Sequence, residues 1–183
     1  GLNRFNLNTK EFSFFAPSAG FTNIHGLCLV DDKLWVGTFS KGLKIIDTRT
    51  GTVLKTYQKN SSPRSLIDNS IFAICRTATG DIYLGTMFGL VKYNKQSDDF
   101  DRIPELNGKF VYDIKEDSGG NIWLATYANG AYCYNVNDRK WKNYVHDEKD
   151  TTSLSYNKVS SIFEDSYHRI WLTTQGGGFC LFH

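Results

Sequence analysis

Apolar and polar residues alternate along this chain in short runs, and one run recurs four times. Lys33-Leu34-Trp35-Val36-Gly37-Thr38, Asp81-Ile82-Tyr83-Leu84-Gly85-Thr86, Asn121-Ile122-Trp123-Leu124-Ala125-Thr126 and Arg169-Ile170-Trp171-Leu172-Thr173-Thr174 share the pattern polar, Ile or Leu, aromatic, aliphatic, small, Thr. The aromatic anchors stand at 35, 83, 123 and 171, so they are 48, 40 and 48 residues apart. Upstream of each anchor a second apolar run predicts a strand: 24–30, 71–76, 111–116 and 159–164. Between the two lies a turn rich in Asp, Ser and Gly, residues that tolerate positive φ or bond to their own backbone. Downstream, Gly42-Leu43, Gly89-Leu90, Gly130-Ala131 and Gly178-Phe179 open a third strand, and 53–57, 100–103 and 141–144 supply a fourth. No stretch shows a sustained period of 3.6 that would compete as helix. Four short antiparallel strands repeated at this interval are the blades of a β-propeller.

The ends of the chain read as parts of the same unit. Gly1 to Asn6 resembles a third strand and Glu11 to Phe15 a fourth, while Val159 to His183 supplies strands one to three. The expected fold is therefore all-β: a single propeller segment over 1–183 of about four four-stranded antiparallel blades. It comprises a partial blade at 1–15, blades at about 24–57, 71–103 and 111–144, and a partial blade at 159–183. Such a segment is expected to belong to a larger propeller of the seven-bladed type. Open blade edges and faces invite association, so self-association through them is expected. Two units have longer approaches, Asn60 to Leu66 and Asp147 to Leu154. Each ends in Ser-Leu with Asn69 or Asn157 a few residues on, which predicts a structured loop.

Composition narrows the function. A formal net charge of +2 with 22% charged residues excludes a polybasic nucleic-acid binder. No apolar run approaches the roughly 18 residues a membrane helix needs, so membrane contact is expected only through a parent chain. Gly1 to Phe5 lacks a targeting pattern. Cys28, Cys75, Cys133 and Cys180 lie singly in apolar runs without CxxC or clustered His, so they read as small hydrophobes, neither metal ligands nor disulfide partners.

The repeat resembles the two-component regulator propeller family, whose unit runs roughly V-x-x-I-x-E-D-x-x-G-x-I-W-L-G-T-x-x-G-G-L-x-x-Y. Val111 to Thr126 fits nearly throughout, and Val159 to Gly178 fits with Ser153-Leu154-Ser155 upstream. The departures are Ala125 for Gly, Tyr83 for Trp, and His168-Arg169 for a Gly turn. The resemblance covers essentially the whole chain. It implies the periplasmic sensor region of a hybrid two-component histidine kinase, responding to a carbohydrate fragment and signalling by phosphorelay through parts that lie outside this sequence.

Candidate chemistry reduces mostly to architecture. Trp35, Trp123, Trp171 and Tyr83 hold one fixed strand position and are expected to pack between blades. Thr38, Thr86, Thr126 and Thr174 are expected to hydrogen-bond from blade to blade. Glu116-Asp117 and Glu164-Asp165 look like the carboxylate pair of a glycosidase, but they recur at a turn and are expected to cap it. Asp117 to Asn121 lacks the alternating carboxylates of a calcium loop, and His25, His146, His168 and His183 show no paired spacing. No catalytic residue, metal site or cofactor is expected. A ligand, an oligosaccharide or other small molecule, is expected at the rim where the loops after strand two meet those entering strand one. The candidates are Phe39, Lys41, Arg64, Phe88, Lys109, Tyr127, Asn129 and Gln175, with Ser40, Asn69 and Asn157 beside them. Two other functions fit the fold: a scaffold for protein interaction or dimerisation, and a propeller-fold carbohydrate-active enzyme.

Overall fold

The structure is a computed structural model that describes residues 1–16, 20, 21 and 23–182. His183, the last residue of the expected final blade, lies outside the described residues. Five antiparallel sheets follow one another along the chain. The first pairs β1 (Leu2–Phe5) with β2 (Phe12–Phe15). The second is β3 (Ile24–Val30), β4 (Lys33–Thr38), β5 (Leu43–Asp47) and β6 (Val53–Tyr57). The third is β7 (Ile71–Arg76), β8 (Ile82–Thr86), β9 (Gly89–Asn94) and β10 (Asp99–Ile103). The fourth is β11 (Val111–Glu116), β12 (Ile122–Thr126), β13 (Ala131–Asn135) and β14 (Lys140–Tyr144). The last is β15 (Val159–Glu164), β16 (Ile170–Thr174) and β17 (Gly178–Phe182). Every sheet is a meander in sequence order, and β3, β7, β11 and β15 lie side by side as the inner strands. The chain is a segment of a β-propeller.

One local device makes each hairpin between the third and fourth strands. The side-chain oxygen of Asn6, Asp47, Asn94 or Asn135 accepts the backbone N–H groups two and three residues on, at 2.7–3.3 Å. Four residues on, Lys10, Gly51, Asp98 or Arg139 takes positive φ, from 54° to 74°, as a three-to-five-residue hairpin loop requires. That β1 and β2 share the device with three complete blades explains why so short a piece reads as the outer half of a unit. At the other hairpin, His168 (φ 61°) occupies the left-handed position that Gly80 and Gly120 hold elsewhere, so the His-Arg departure preserves the turn.

The core lies between the sheets. Trp35, Tyr83 and Trp123 are at most 9% exposed and each faces the next sheet. The longer approaches are anchored as structured loops: Leu66 and Leu154 insert into the inter-sheet cores, while the Asn69 and Asn157 side chains accept N–H from Lys59 and His146 at 2.7 Å. All four cysteines are free, and burial pushes the Cys133 thiol up to about 11, which keeps it protonated and inert.

Two expectations are corrected here. The repeated threonines do not bridge blades. Each hydroxyl donates within its own sheet, to the carbonyl of Gly42, Gly89, Gly130 or Gly178 at 2.6–3.0 Å, and so closes the turn between the second and third strands. The Glu-Asp pairs divide their labour. Asp117 and Asp165 cap their turns and also accept the indole N–H of Trp123 and Trp171, both at 2.8 Å. Glu116 and Glu164 instead cross to the preceding blade and accept the N–H of Ala78 (2.7 Å) and Ser118 (2.9 Å). Arg76 makes the corresponding crossing to Asp31 as an ion pair at 3.1 Å.

Candidate functional site

Each inner strand carries a register shift at the same place: between Ile24 and Gly26, Ile71 and Ala73, Val111 and Asp113, Val159 and Ser161. A bulge leaves one residue unpaired and re-aims its side chain; here those residues are His25, Phe72, Tyr112 and Ser160. The loops after the second strands come back to the same end. The N–H groups of Phe39, Met87, Tyr127 and Gln175 donate to the carbonyls of Asn23, Ser70, Phe110 and Lys158 at 2.8–3.1 Å.

The result is a continuous aromatic band across successive blades. His25 lies 4.6 Å from Phe72, and Phe39 stands edge-on to Phe72 at 6.2 Å. Phe72 meets Phe110 at 4.4 Å, Phe110 stacks on Tyr112 at 4.5 Å, and Tyr127 stacks on both Phe110 and Tyr112 at 5.6 and 6.0 Å. The Lys158 ammonium caps the far end, 4.2 Å from the centre of the Tyr127 ring, a favourable cation–π arrangement. Phe39 and Tyr127 remain substantially exposed. The band therefore offers flat apolar faces with hydroxyl, imidazole and ammonium groups at its margin.

Of the rim candidates, Phe39 and Tyr127 belong to this band. Gln175 adjoins it through Lys158, and Lys109 immediately precedes Phe110. The backbones of Lys41, Phe88 and Asn129 are pinned to the hydroxyls of Thr38, Thr86 and Thr126, which holds them in the same layer of loops. Phe88 is exposed but its ring joins no described aromatic pair. Arg64 is a correction. Its carbonyl accepts the N–H of Phe100, which turns the loop outward along β10, and its guanidinium is held by Asp99 and Asp101. Asp99 begins β10 at the sheet end opposite the rim. The residues the sequence reading missed are His25, Phe72, Phe110, Tyr112 and Lys158. The signal for His25, Phe72 and Tyr112 was the second residue of each inner strand, a position that the repeat pattern leaves free; Phe110 and Lys158 immediately precede β11 and β15.

A second concavity lies at the opposite sheet end, a groove of about 680 Å³ between the β3–β6 and β7–β10 sheets. Asp98 organises it, accepting from Lys55, Tyr57 and Tyr93. These donors, Lys55 first, hold the Asp98 carboxyl down to about 2. Burial, reinforced by Asp98, pushes the Tyr57 phenol up to about 12. Because the folded value of Asp98 is depressed, its contribution is full above the unfolded carboxyl range near pH 4 and is lost as pH falls toward 2. Thermal unfolding from pH 2 to 6 is expected to show Asp98→Asn less stable than the parent at pH 6, with the gap closing below pH 4. A pH-independent gap would show that the ionised carboxylate contributes nothing.

Comparison with known proteins agrees with the propeller fold. The "Two component regulator propeller" family profile matches residues 65–88, 105–128 and 153–176. Histidine kinase P4 of Formosa agariphila is 32% identical over 181 residues, covering 97% of this chain and 10% of that protein. The extracellular domain of a putative hybrid two-component system from B. thetaiotaomicron superposes with a TM-score of 0.79 at 22% identity, over 99% of this chain and 23% of its own. PorZ, a surface component of the type-IX secretion system of Porphyromonas gingivalis, gives 0.74 at 16% identity over 97% and 28%. The chain belongs to the two-component regulator propeller repeat family. It spans about a tenth of that kinase and under a quarter of the first of those solved domains.

Proposed function

We propose that this chain is a non-catalytic, ligand-sensing segment of the extracytoplasmic, periplasmic region of a hybrid two-component histidine kinase, and that its ligand is a carbohydrate fragment. The observation that carries the reading is the aromatic band, in which residues at the strand bulges and rings from the loops after the second strands meet across successive blades, with Phe39 and Tyr127 left open at the rim. Flat rings flanked by hydrogen-bonding groups suit the apolar faces and hydroxyl edges of sugars. The kinase relative supports the signalling context. The carboxylates that resemble a glycosidase pair are engaged in turn capping and inter-blade contacts, which weighs against the enzyme alternative.

Calorimetric titration of the complete sensor region with an oligosaccharide panel tests this. At least one glycan is expected to bind, and the Phe72→Ala/Tyr112→Ala double variant should weaken it about tenfold or more, as loss of aromatic anchors does at binding hot spots. Binding of no glycan removes the carbohydrate assignment. An unchanged affinity in the variant removes the band as the site and favours a scaffold role for this segment.

A further inference from the structure

We propose that the groove between the β3–β6 and β7–β10 sheets is a second binding site, for a small ligand bearing a carboxylate. It is independent of the aromatic rim, which lies at the other end of the strands.

The repeat is broken at the first of its tryptophan turns. Trp123 and Trp171 each give their indole N–H to an aspartate six residues earlier, at the head of a four-residue turn. Before Trp35 the turn is only two residues long, because Val30 pairs directly with Lys33. Residue 29 is Leu, and Asp31 turns away to Arg76. Among the described residues, nothing accepts from the Trp35 indole, although the residue is 5% exposed. No fully buried side-chain nitrogen or oxygen among them lacks a partner, so this N–H opens onto the groove that Trp35 lines. A native protein that satisfies two of three equivalent indoles internally and leaves the third facing a cavity has a vacant donor there.

The charges around it have the same bias. Lys55 pairs with Asp98, Lys92 with Asp81, and Arg76 with Asp31. The fourth acid of the lining, Asp101, is taken by Arg64 and Asn94. Lys33 and Lys95 also line the groove, and neither meets a carboxylate among the described residues. Every carboxylate of the lining is matched, while an indole N–H and two ammonium groups, all donors, stand open. The complementary ligand is an anion with two acceptor oxygens, small enough for the groove and with a body to lie against Tyr57 and Tyr93. A carboxylate on a sugar acid or on an amino-acid derivative meets this description.

The test uses the full chain and its indole N–H resonances in a proton–nitrogen correlation spectrum, with Trp35→Phe identifying the relevant signal. Glucuronate and N-acetylglutamate are the two carboxylate sources, and glucose is the neutral control at constant ionic strength. Saturable movement of the Trp35 signal with either acid, and not with glucose, is expected; which acid moves it identifies the source. Lys33→Gln/Lys95→Gln, at two exposed positions that the fold does not need, should weaken that binding about tenfold or more, as loss of charged hydrogen-bond partners does. A Trp35 signal unmoved by both acids, equal movement with glucose, or an unchanged affinity in the lysine double variant each overturns the proposal. Substitutions at Phe72 and Tyr112 should leave this titration as it was, so the two sites fail separately.

Discussion

Trp123→Ala is expected to destabilise the chain by about 3–5 kcal/mol, the range for deleting a large aromatic from a core. Trp123 is 3% exposed. Its ring stacks on Tyr144 at 5.7 Å and meets Phe182 of the next sheet edge-on at 4.9 Å. It therefore joins the outer strand of its own blade to the last strand of the following one. Alanine would open a cavity that Tyr144 and Phe182, each fixed on a strand, cannot close. It would also strip Asp117 of a 2.8 Å donor. Trp123→Phe should cost less, since it keeps most of the buried area and gives up the indole N–H. Trp171→Ala should also cost less, because that ring is only partly buried. Urea unfolding of the three variants checks the order, and a loss under about 1 kcal/mol in Trp123→Ala would mean that the anchor does not hold adjacent blades together.

The fold was legible because its determinants are local and repeated. Second-strand residues alternate between neighbouring sheets, so Trp35, Tyr83 and Trp123 announce their burial by position. Asp47, Asn94 and Asn135 announce their hairpins by closing the third strand. What stayed hidden depends on geometry across strands. The bulges at His25, Phe72 and Tyr112 alter which way one residue points without altering composition, so a pattern that assumes strict alternation passes over the rings that form the rim. Thr38 and its counterparts are small, buried and periodic, which suits a bond to the next blade as well as one to their own glycine. Only the return of the chain at Gly42 and Gly130 decides between them. Arg64 illustrates the limit for long loops: its approach to the rim in sequence is real, but one backbone bond to Phe100 carries it around the outer strand.

Gly130→Ala is expected to cost about 3–4 kcal/mol, combining left-handed strain of 1–3 kcal/mol with the loss of backbone hydrogen bonds. Gly130 has φ +73°, and a Cβ there would lie 2.0 Å from the Tyr144 carbonyl oxygen. That contact is with backbone, so no rotamer change relieves it and β14 must move off β13. Three bonds converge on the position: the Gly130 N–H donates to the Asn157 carbonyl, and its own carbonyl accepts from both the N–H and the hydroxyl of Thr126. The substitution therefore strains the link to the next blade's loop together with the turn closure. Gly80 is the natural control. It stands in the turn between β7 and β8 of a complete blade, has φ +89°, and a Cβ there meets nothing within 4 Å. Gly80→Ala should lose only the conformational term, about 1–2 kcal/mol. The difference between the two variants, read from their unfolding midpoints, measures the outer-strand contact free of the φ penalty. Equal losses would mean that positive φ alone requires glycine at position 130 and that the apposition of the Tyr144 carbonyl adds nothing.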